Sequence, residues 1–562
     1  MLLDLIEILC FLGALIVISP LLGNFIANIF TENKPMLYPC LGWLEKLCYR
    51  AGGIDEAREM HWRTYGKSLL FFNFIGFIFL FTLQLVQGYL PLNPEHFQGV
   101  SWPLAFNTAA SFTTNTNWQA YAGETTLSYL TQMLGLTSQN FLSAATGLSL
   151  LVVLTRGIKG NASATVGNFW RDLVRSIVYL LLPLSIILAI FLVTQGVIQS
   201  FSPYATVSTL ENAEQIIPFG PVASQVAIKQ LGTNGGGFFN ANSAHPFENP
   251  SPITNWLQNF AILLIPAASV HAYGIMIGSK REGWVLFSVM LGLFIFGLGL
   301  GLYAESIPNP SLHSQEILEG IETRFGSSRS ILWTMSTSAT SNGSVNSMLS
   351  SLPPLSGGVA LFNIMLGELI FGGVGVGLCS MIMFILLTVF LSGLMVGRTP
   401  EYQGKKIEKK EMQWVLLAIL LPSLTILVGS AVASVSEQGL KSLGNLGPHG
   451  LSELLYAFSS TAANNGSAFS GFNANTFLFN IVLGVVMLLG RASIALPSLA
   501  LAGLLVQKKI APKSIGSFST DSTLFAFLLA GTIIVMGGLT FFPALSLGPI
   551  LEHLLMLEGK TL

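Results

Sequence analysis

Charge is what this sequence has least of. Asp, Glu, Lys and Arg make up 9% of its 562 residues, against 51% hydrophobic, where a soluble globular protein carries about 25% charged residues. So few charges cannot clothe a water-facing surface of ordinary size. This excludes a soluble enzyme, a nucleic-acid binder and a disordered tail as the main theme. The net charge of −1 gives no reason to expect a polyanionic partner. Cysteine is scarce too. Cys10, Cys40, Cys48 and Cys379 show neither a CxxC spacing nor a dense framework, so neither a disulfide scaffold nor a metal knuckle is expected. The first ten residues lack a basic stretch and carry Asp4 and Glu7, so they read as the start of a spanning helix and not as a cleaved signal.

Long apolar runs are what the chain has in excess. A spanning helix needs about 20 mostly apolar residues. Ten stretches qualify: 5–29, 69–90, 130–154, 177–197, 253–277, 284–302, 358–396, 414–435, 476–506 and 523–545. The expected fold class is an all-α polytopic membrane protein with ten transmembrane helices. Basic residues orient it, because Lys and Arg near span ends stay cytoplasmic. Connections after odd-numbered spans hold twenty of the 26 basic residues, from Lys34 after the first to Lys508, Lys509 and Lys513 after the ninth. The even-numbered connections hold only Lys229, Arg324, Arg329 and Lys441. Both termini are then expected on the outer side of a cell membrane crossed many times.

The four longer outer connections share a pattern. Each contains a moderately apolar segment too short to span, such as 101–113, 329–340 and 452–463, which suits a re-entrant helix. Each segment runs into a short polar tract: Thr114-Asn115-Thr116, Thr233-Asn234-Gly235, Ser341-Asn342-Gly343 and Asn464-Asn465-Gly466. The central asparagines lie 119, 108 and 123 residues apart. That is an internal repeat of span, re-entrant helix, tract and span. One Asn-Gly pair is commonly an ordinary turn, but four at matched positions favour a shared role. Repeats of one orientation can close around an axis along the membrane normal, and four tracts would ring one pore. A cation filter aims carbonyl oxygens at the axis to replace the ion's water. That demands backbone angles which Gly reaches freely and Asn more easily than most. Each short helix would point its partly negative C-terminus at the ion. The tracts hold no carboxylate, so a desolvated monovalent cation on neutral oxygens fits better than a hard divalent one.

Three further features bear on flow. The seventh apolar stretch, 358–396, would be about 58 Å long as one straight helix, nearly twice the hydrocarbon thickness. It must break or tilt, and Gly372-Gly373-Val374-Gly375-Val376-Gly377 is the expected break. Flexible backbone there suits a gate, or else close helix packing. Arg491 sits inside an apolar span, where a charge marks a function by default. A fixed positive charge below the filter would oppose passive leak, and a structural pair with a carbonyl or Glu368 is the alternative. His245 and Glu248 make too small a ligand set for a metal and read as part of an exposed loop.

Longer motifs carry a resemblance. They are Leu90-Pro91-Leu92-Asn93-Pro94, Thr114-Asn115-Thr116-Asn117-Trp118-Gln119, Gly123-Glu124-Thr125-Thr126-Leu127-Ser128-Tyr129, the run from Leu231 through Thr233-Asn234-Gly235-Gly236-Gly237-Phe238-Phe239-Asn240 to Ser243, His245-Pro246-Phe247-Glu248-Asn249-Pro250, Gly397-Arg398-Thr399-Pro400-Glu401-Tyr402 and Asn465-Gly466-Ser467-Ala468-Phe469. Over essentially the whole chain these resemble the potassium-binding A subunits of bacterial Kdp potassium-transporting P-type ATPases. The resemblance implies a fold related to Trk/Ktr potassium transporters, with four parallel channel-like units at 66–160, 161–281, 282–400 and 401–510, flanked by one helix each in 1–65 and 511–562. It implies a complex with a catalytic ATPase B subunit, a C subunit and a small single-span F subunit, in contact with membrane lipid. The implied potassium site comprises Thr114, Asn115, Thr116, Asn117 and Gln119; Thr233, Asn234, Gly235 and Gly236; Ser341, Asn342 and Gly343; and Asn464, Asn465, Gly466 and Ser467. Arg491, Gly373, Gly375 and Arg398 are the expected gating or barrier residues. Potassium is the expected ion, taken from the outer side. No nucleotide is expected here, since the chain has neither an Asp-Lys-Thr-Gly phosphorylation signature nor a GxxxxGK[ST] loop. The alternative is a self-sufficient potassium channel or symporter of the Trk/Ktr type.

Overall fold

The computed structural model describes residues 2–310, 318–512 and 519–560. Lys513, one of the basic residues counted above, lies outside them. Among the described residues, ten helices are long and apolar enough to cross a membrane: Leu2–Thr31, Trp62–Tyr89, Thr131–Lys159, Phe169–Thr194, Pro252–Ile277, Lys280–Glu305, Val376–Met395, Lys409–Val435, Phe477–Val506 and Thr523–Leu547. The fold is that of an all-α polytopic membrane protein. The expected break in the seventh stretch is real. One helix covers Pro354–Met365, a second starts at Val376, and residues 366–375 between them are irregular.

Four shorter helices precede the tracts: Trp102–Thr113, Val222–Leu231, Gly326–Ala339 and Gly447–Ala462. Pro occupies the first turn of the first and fourth, where its missing N–H costs nothing and its fixed φ suits the helix. The spans after the first three tracts are inner ones. Within their apolar windows, Thr131–Lys159 and Pro252–Ile277 are 83% buried and Val376–Met395 is 72% buried, against 17% for the first span and 28% for the tenth. Phe477–Val506 reaches only 44%, because Val485, Leu488, Leu489 and Leu496 face outward. In lipid, helices are held by close packing and not by exclusion of water. Gly157 shows this: a Cβ there would run into the Ala502 backbone, so the third and ninth spans touch main chain to main chain.

At the end rich in basic residues, polar contacts tie these spans together. A two-stranded hairpin pairs Glu401–Tyr402 with Lys405–Lys406. The Lys405 ammonium donates to the carbonyls of Gly157 at 2.9 Å and Leu505 at 2.7 Å, capping the third and ninth spans. The Tyr402 hydroxyl reaches Tyr273 at the end of the fifth span and donates to Glu282 at 2.6 Å. Nearby, Arg175 is buried and engages four of its five N–H donors. It pairs with Glu45 at 2.9 Å and donates to the carbonyls of Ile29, Glu32 and Asn33. Removing one partner of such a pair strands a buried charge, at about 3–5 kcal/mol. Arg175→Ala is therefore expected to lower the thermal unfolding temperature of the detergent-solubilised chain by several degrees. A variant that melts with the wild type would show that Glu45 finds water instead.

Candidate functional site

Each tract begins where a short helix runs out of hydrogen bonds. The Thr116 amide donates to the Ser111 carbonyl at 2.9 Å, that of Asn234 to Lys229 at 2.9 Å, and that of Asn465 to Ser460 at 2.8 Å. Thr116, Asn234 and Asn465 are thus equivalent. The sequence pattern, which puts Asn115 at the centre of the first tract, is one residue out of register there. Backbone angles agree. The residues on either side are left-handed: Asn115 and Asn117 (φ 72° and 56°), Thr233 and Gly235 (49° and 100°), Asn464 and Gly466 (52° and 98°). The residue between each pair is not left-handed, so the hand of the backbone alternates along these three tracts. Thr233 is β-branched and strained in this region. Its hydroxyl is engaged on both sides, donating to the Gly232 carbonyl and accepting from the Val374 amide at 2.9 Å. In the third tract neither Ser341, Asn342 nor Gly343 is left-handed.

The tracts meet one another in a closed cycle. The Asn115 amide donates to the Thr233 carbonyl at 2.9 Å, and that of Asn234 to Asn115 Oδ1 at 2.6 Å, joining the first and second. The Gly343 N–H donates to the Asn234 carbonyl at 3.2 Å, joining second and third. Asn465 donates to the carbonyls of Thr337 and Thr340 at 2.7 and 2.8 Å, at the entry to the third tract. The Asn464 amide donates to the Thr116 hydroxyl at 2.9 Å, closing fourth onto first. Space is tight at two of these joints. A Cβ on Gly235 would strike the Gly343 amide, and one on Gly466 would strike the Thr116 carbonyl.

Two predicted residues brace the ring and do not join it. Gln119 accepts from the Gly237 amide and donates to its carbonyl, linking the segments beyond the first two tracts. Ser467 donates to Asn465 Oδ1.

The break at 366–375 lies against the same ring. Val374 binds Thr233, and a Cβ at Gly373 would meet the Ser341 hydroxyl. Gly375 has φ 80°, and a Cβ there would meet the Gly147 carbonyl of the third span. Glu368 and Phe371 are left-handed, at 58° and 50°, each costing about 1–3 kcal/mol. The Arg491 guanidinium points at the same place, 3.5 Å from the Ser143 carbonyl. Ser143 in turn donates to Asn115 and accepts from Asn234. Beneath the fourth tract a cavity of about 60 Å³ is lined by Glu368, Ser380, Asn464 and Gly490, among others. That is room for an ion or a few waters.

A family model described as the potassium-transporting ATPase A subunit matches residues 9–554. The chain belongs to this family. Among curated relatives, the potassium-transporting ATPase potassium-binding subunit of Leptospira interrogans serovar copenhageni is 54% identical over 99% of both chains. Its counterpart in Rhodospirillum centenum is 52% identical, over 99% of this chain and 98% of that one. Among solved structures, the potassium transporter TrkH from Vibrio parahaemolyticus superposes with a TM-score of 0.50 at 17% identity, over 87% of this chain and 96% of that one. This is a likeness of fold.

Two expectations need correcting in this A-subunit family member. Arg398, grouped on sequence with the barrier residues, is not brought to them. It sits exposed just past the end of Val376–Met395, capping that helix through its amide to the Gly393 carbonyl. Twenty helical residues, about 30 Å, separate it from the break. The segment with His245 and Glu248 is not an exposed loop. Glu248 is fully buried and His245 stacks on Phe239. Ser143, Asn140 and Asn242, outside the expected site residues, also hold the ring. Asn140 accepts from the Asn117 amide at 2.6 Å, and Asn242 donates to the Gly235 carbonyl at 2.7 Å. Polar residues in or beside apolar spans were the available signal.

Proposed function

We propose that the four tracts form a potassium-selective filter, taking the ion from the outer side and handing it to an ATPase partner. The closed cycle of hydrogen bonds between tracts carries this reading. A ring held rigid by its neighbours can present neutral oxygens at a fixed radius, which favours one size of desolvated monovalent cation. Thr114–Asn117, Thr233–Gly236, Ser341–Gly343 and Asn464–Gly466 supply the ring, with Gln119 and Ser467 bracing it. Gly373, Gly375 and Arg491 stand below it as a barrier to straight flow, and the cavity under the fourth tract offers a sideways exit. The chain is the potassium-binding subunit of a potassium-transporting ATPase and is not itself the catalytic subunit. Its termini face outward from a bacterial cell membrane, and B, C and F subunits complete the complex.

The test compares the chain alone with the assembled complex in proteoliposomes. The isolated chain is expected to neither hydrolyse ATP nor accumulate potassium against a gradient, while the complex does both, with ATP turnover saturating in external potassium. ATP-independent accumulation by the pure chain would replace this reading with a self-sufficient transporter.

A further inference from the structure

Behind the second tract lies an ion pair with no access to water. Lys229 and Glu248 are both 0% exposed, and their charged ends are in contact. The Lys229 ammonium also donates to Asn242 Oδ1 at 2.8 Å. The amide of the same Asn242 side chain donates to the Gly235 carbonyl at 2.7 Å. Glu248 Oε1 accepts from the main-chain amides of Phe238 and Phe239 at 2.8 and 3.1 Å, the residues that leave the tract. The Lys229 carbonyl accepts from the Asn234 amide at 2.9 Å and from the Asn342 side chain at 3.1 Å. Ser344, beyond the third tract, donates to Asn242 Oδ1 at 3.1 Å. One lysine therefore stands at the node of several links that shape the second tract and tie it to the third, beside the direct bond from Gly343 to Asn234.

Stability does not account for this arrangement. A buried ion pair can often be replaced by apolar side chains of similar volume without loss, because desolvation offsets the attraction. What the pair supplies is direction. Glu248 holds the ammonium, and the ammonium, with the Ser243 amide and the Ser344 hydroxyl, donates to Asn242 Oδ1, so that the Asn242 amide faces one carbonyl. The pair is also neutral as a unit, so it directs that carbonyl without adding a repelling charge beside a cation site. Asn242 is itself left-handed, at φ 52°, which gives its side chain a short reach back to the tract.

We infer that Lys229, held by Glu248, is a positioning residue of the ion filter: through Asn242 it sets the direction of the Gly235 carbonyl and hence the discrimination between potassium and larger ions. The inference rests on the reading of the tracts as a filter. Loss of this side-chain link removes one directed hydrogen bond, worth about 1.4 kcal/mol or tenfold in affinity.

The experiment uses the complete complex and measures potassium- and rubidium-stimulated ATP turnover for Lys229→Met, Lys229→Arg, Asn242→Gly and Gly235→Asp. Glycine at 242 keeps the left-handed backbone and removes only the amide. Lys229→Met and Asn242→Gly are each expected to raise half-saturating potassium about tenfold and to narrow the rubidium-to-potassium ratio, with a smaller change in maximal rate. Lys229→Arg should recover part of the ratio. A merely structural role would lower yield and maximal rate at an unchanged ratio. Should Lys229→Met fail to assemble, Asn242→Gly decides, since it leaves the ion pair intact. An unchanged ratio in Asn242→Gly, with Gly235→Asp altered, overturns the inference and leaves the filter standing. An unchanged ratio in both overturns the filter reading as well.

Discussion

Gly466→Asp, in the complex assembled with its ATPase partner, is expected to raise half-saturating potassium by about a hundredfold or more and to blunt selectivity against sodium and rubidium. Two effects add. Gly466 has φ 98°, where an L side chain is strained by about 1–3 kcal/mol. The new Cβ would also strike the Thr116 carbonyl, so the joint that closes the fourth tract onto the first must open. The carboxylate then places a charge in a ring otherwise built of neutral oxygens, which relaxes selection by size. Gly466→Ala separates the two effects, since it keeps the clash and omits the charge. It should lose affinity with less loss of selectivity. The measurement is ATP turnover against potassium, rubidium and sodium. Wild-type affinity and preference in a well-assembled Gly466→Asp complex would mean that the ring does not contact the ion.

Periodicity and composition made most of this molecule legible. Ten apolar runs became ten spans because nothing but a helix satisfies its own backbone in lipid. The seventh run was too long for one crossing, and its glycines marked the region where it breaks. The four tracts were visible as Asn and Gly after short apolar segments, for the same backbone reason that makes them useful. Their register was less legible. Asn115 resembles Asn234 in type, yet Thr116 is the residue that matches Asn234 in hydrogen bonding. Residue type reports which angles are tolerated, and Asn suits both the left-handed and the central position, so type alone cannot choose. The support behind the ring was not legible for another reason. Lys229 counts as a loop cation in any tally of charge, and Glu248 as a loop acid. Only the fold brings residues nineteen positions apart into contact and buries both. Arg398 erred in the opposite direction: it belongs to a distinctive motif, but the helix before it carries it to the far end of the molecule.

Arg491→Gln is expected to admit potassium through the complex in the absence of ATP, or to let ATP hydrolysis run without matching uptake. The guanidinium reaches the Ser143 carbonyl, and Ser143 holds Asn115 of the first tract and Asn234 of the second. The charge therefore stands one residue removed from the ring, beside the strained segment that carries Gly373 and Gly375. Arg491 makes no direct ion pair among the described residues, but the buried Glu368 lies close enough to attract it, so its charge is offset in part and not cancelled. At an effective dielectric of about 20, a cation about 6 Å away is disfavoured by about 3 kcal/mol, close to a hundredfold in occupancy. That is enough to hold ions in the ring against a concentration gradient and direct them elsewhere. Gln removes the charge and keeps a donor for the Ser143 carbonyl. Lys keeps the charge and loses the planar fork, so Arg491→Lys should leak less than Arg491→Gln. Potassium flux into proteoliposomes without ATP, together with the ratio of uptake to ATP hydrolysed, separates the three proteins. If both variants leak no more than wild type and keep its coupling, the charge is no barrier, and the Gly373–Gly375 segment alone must close the path.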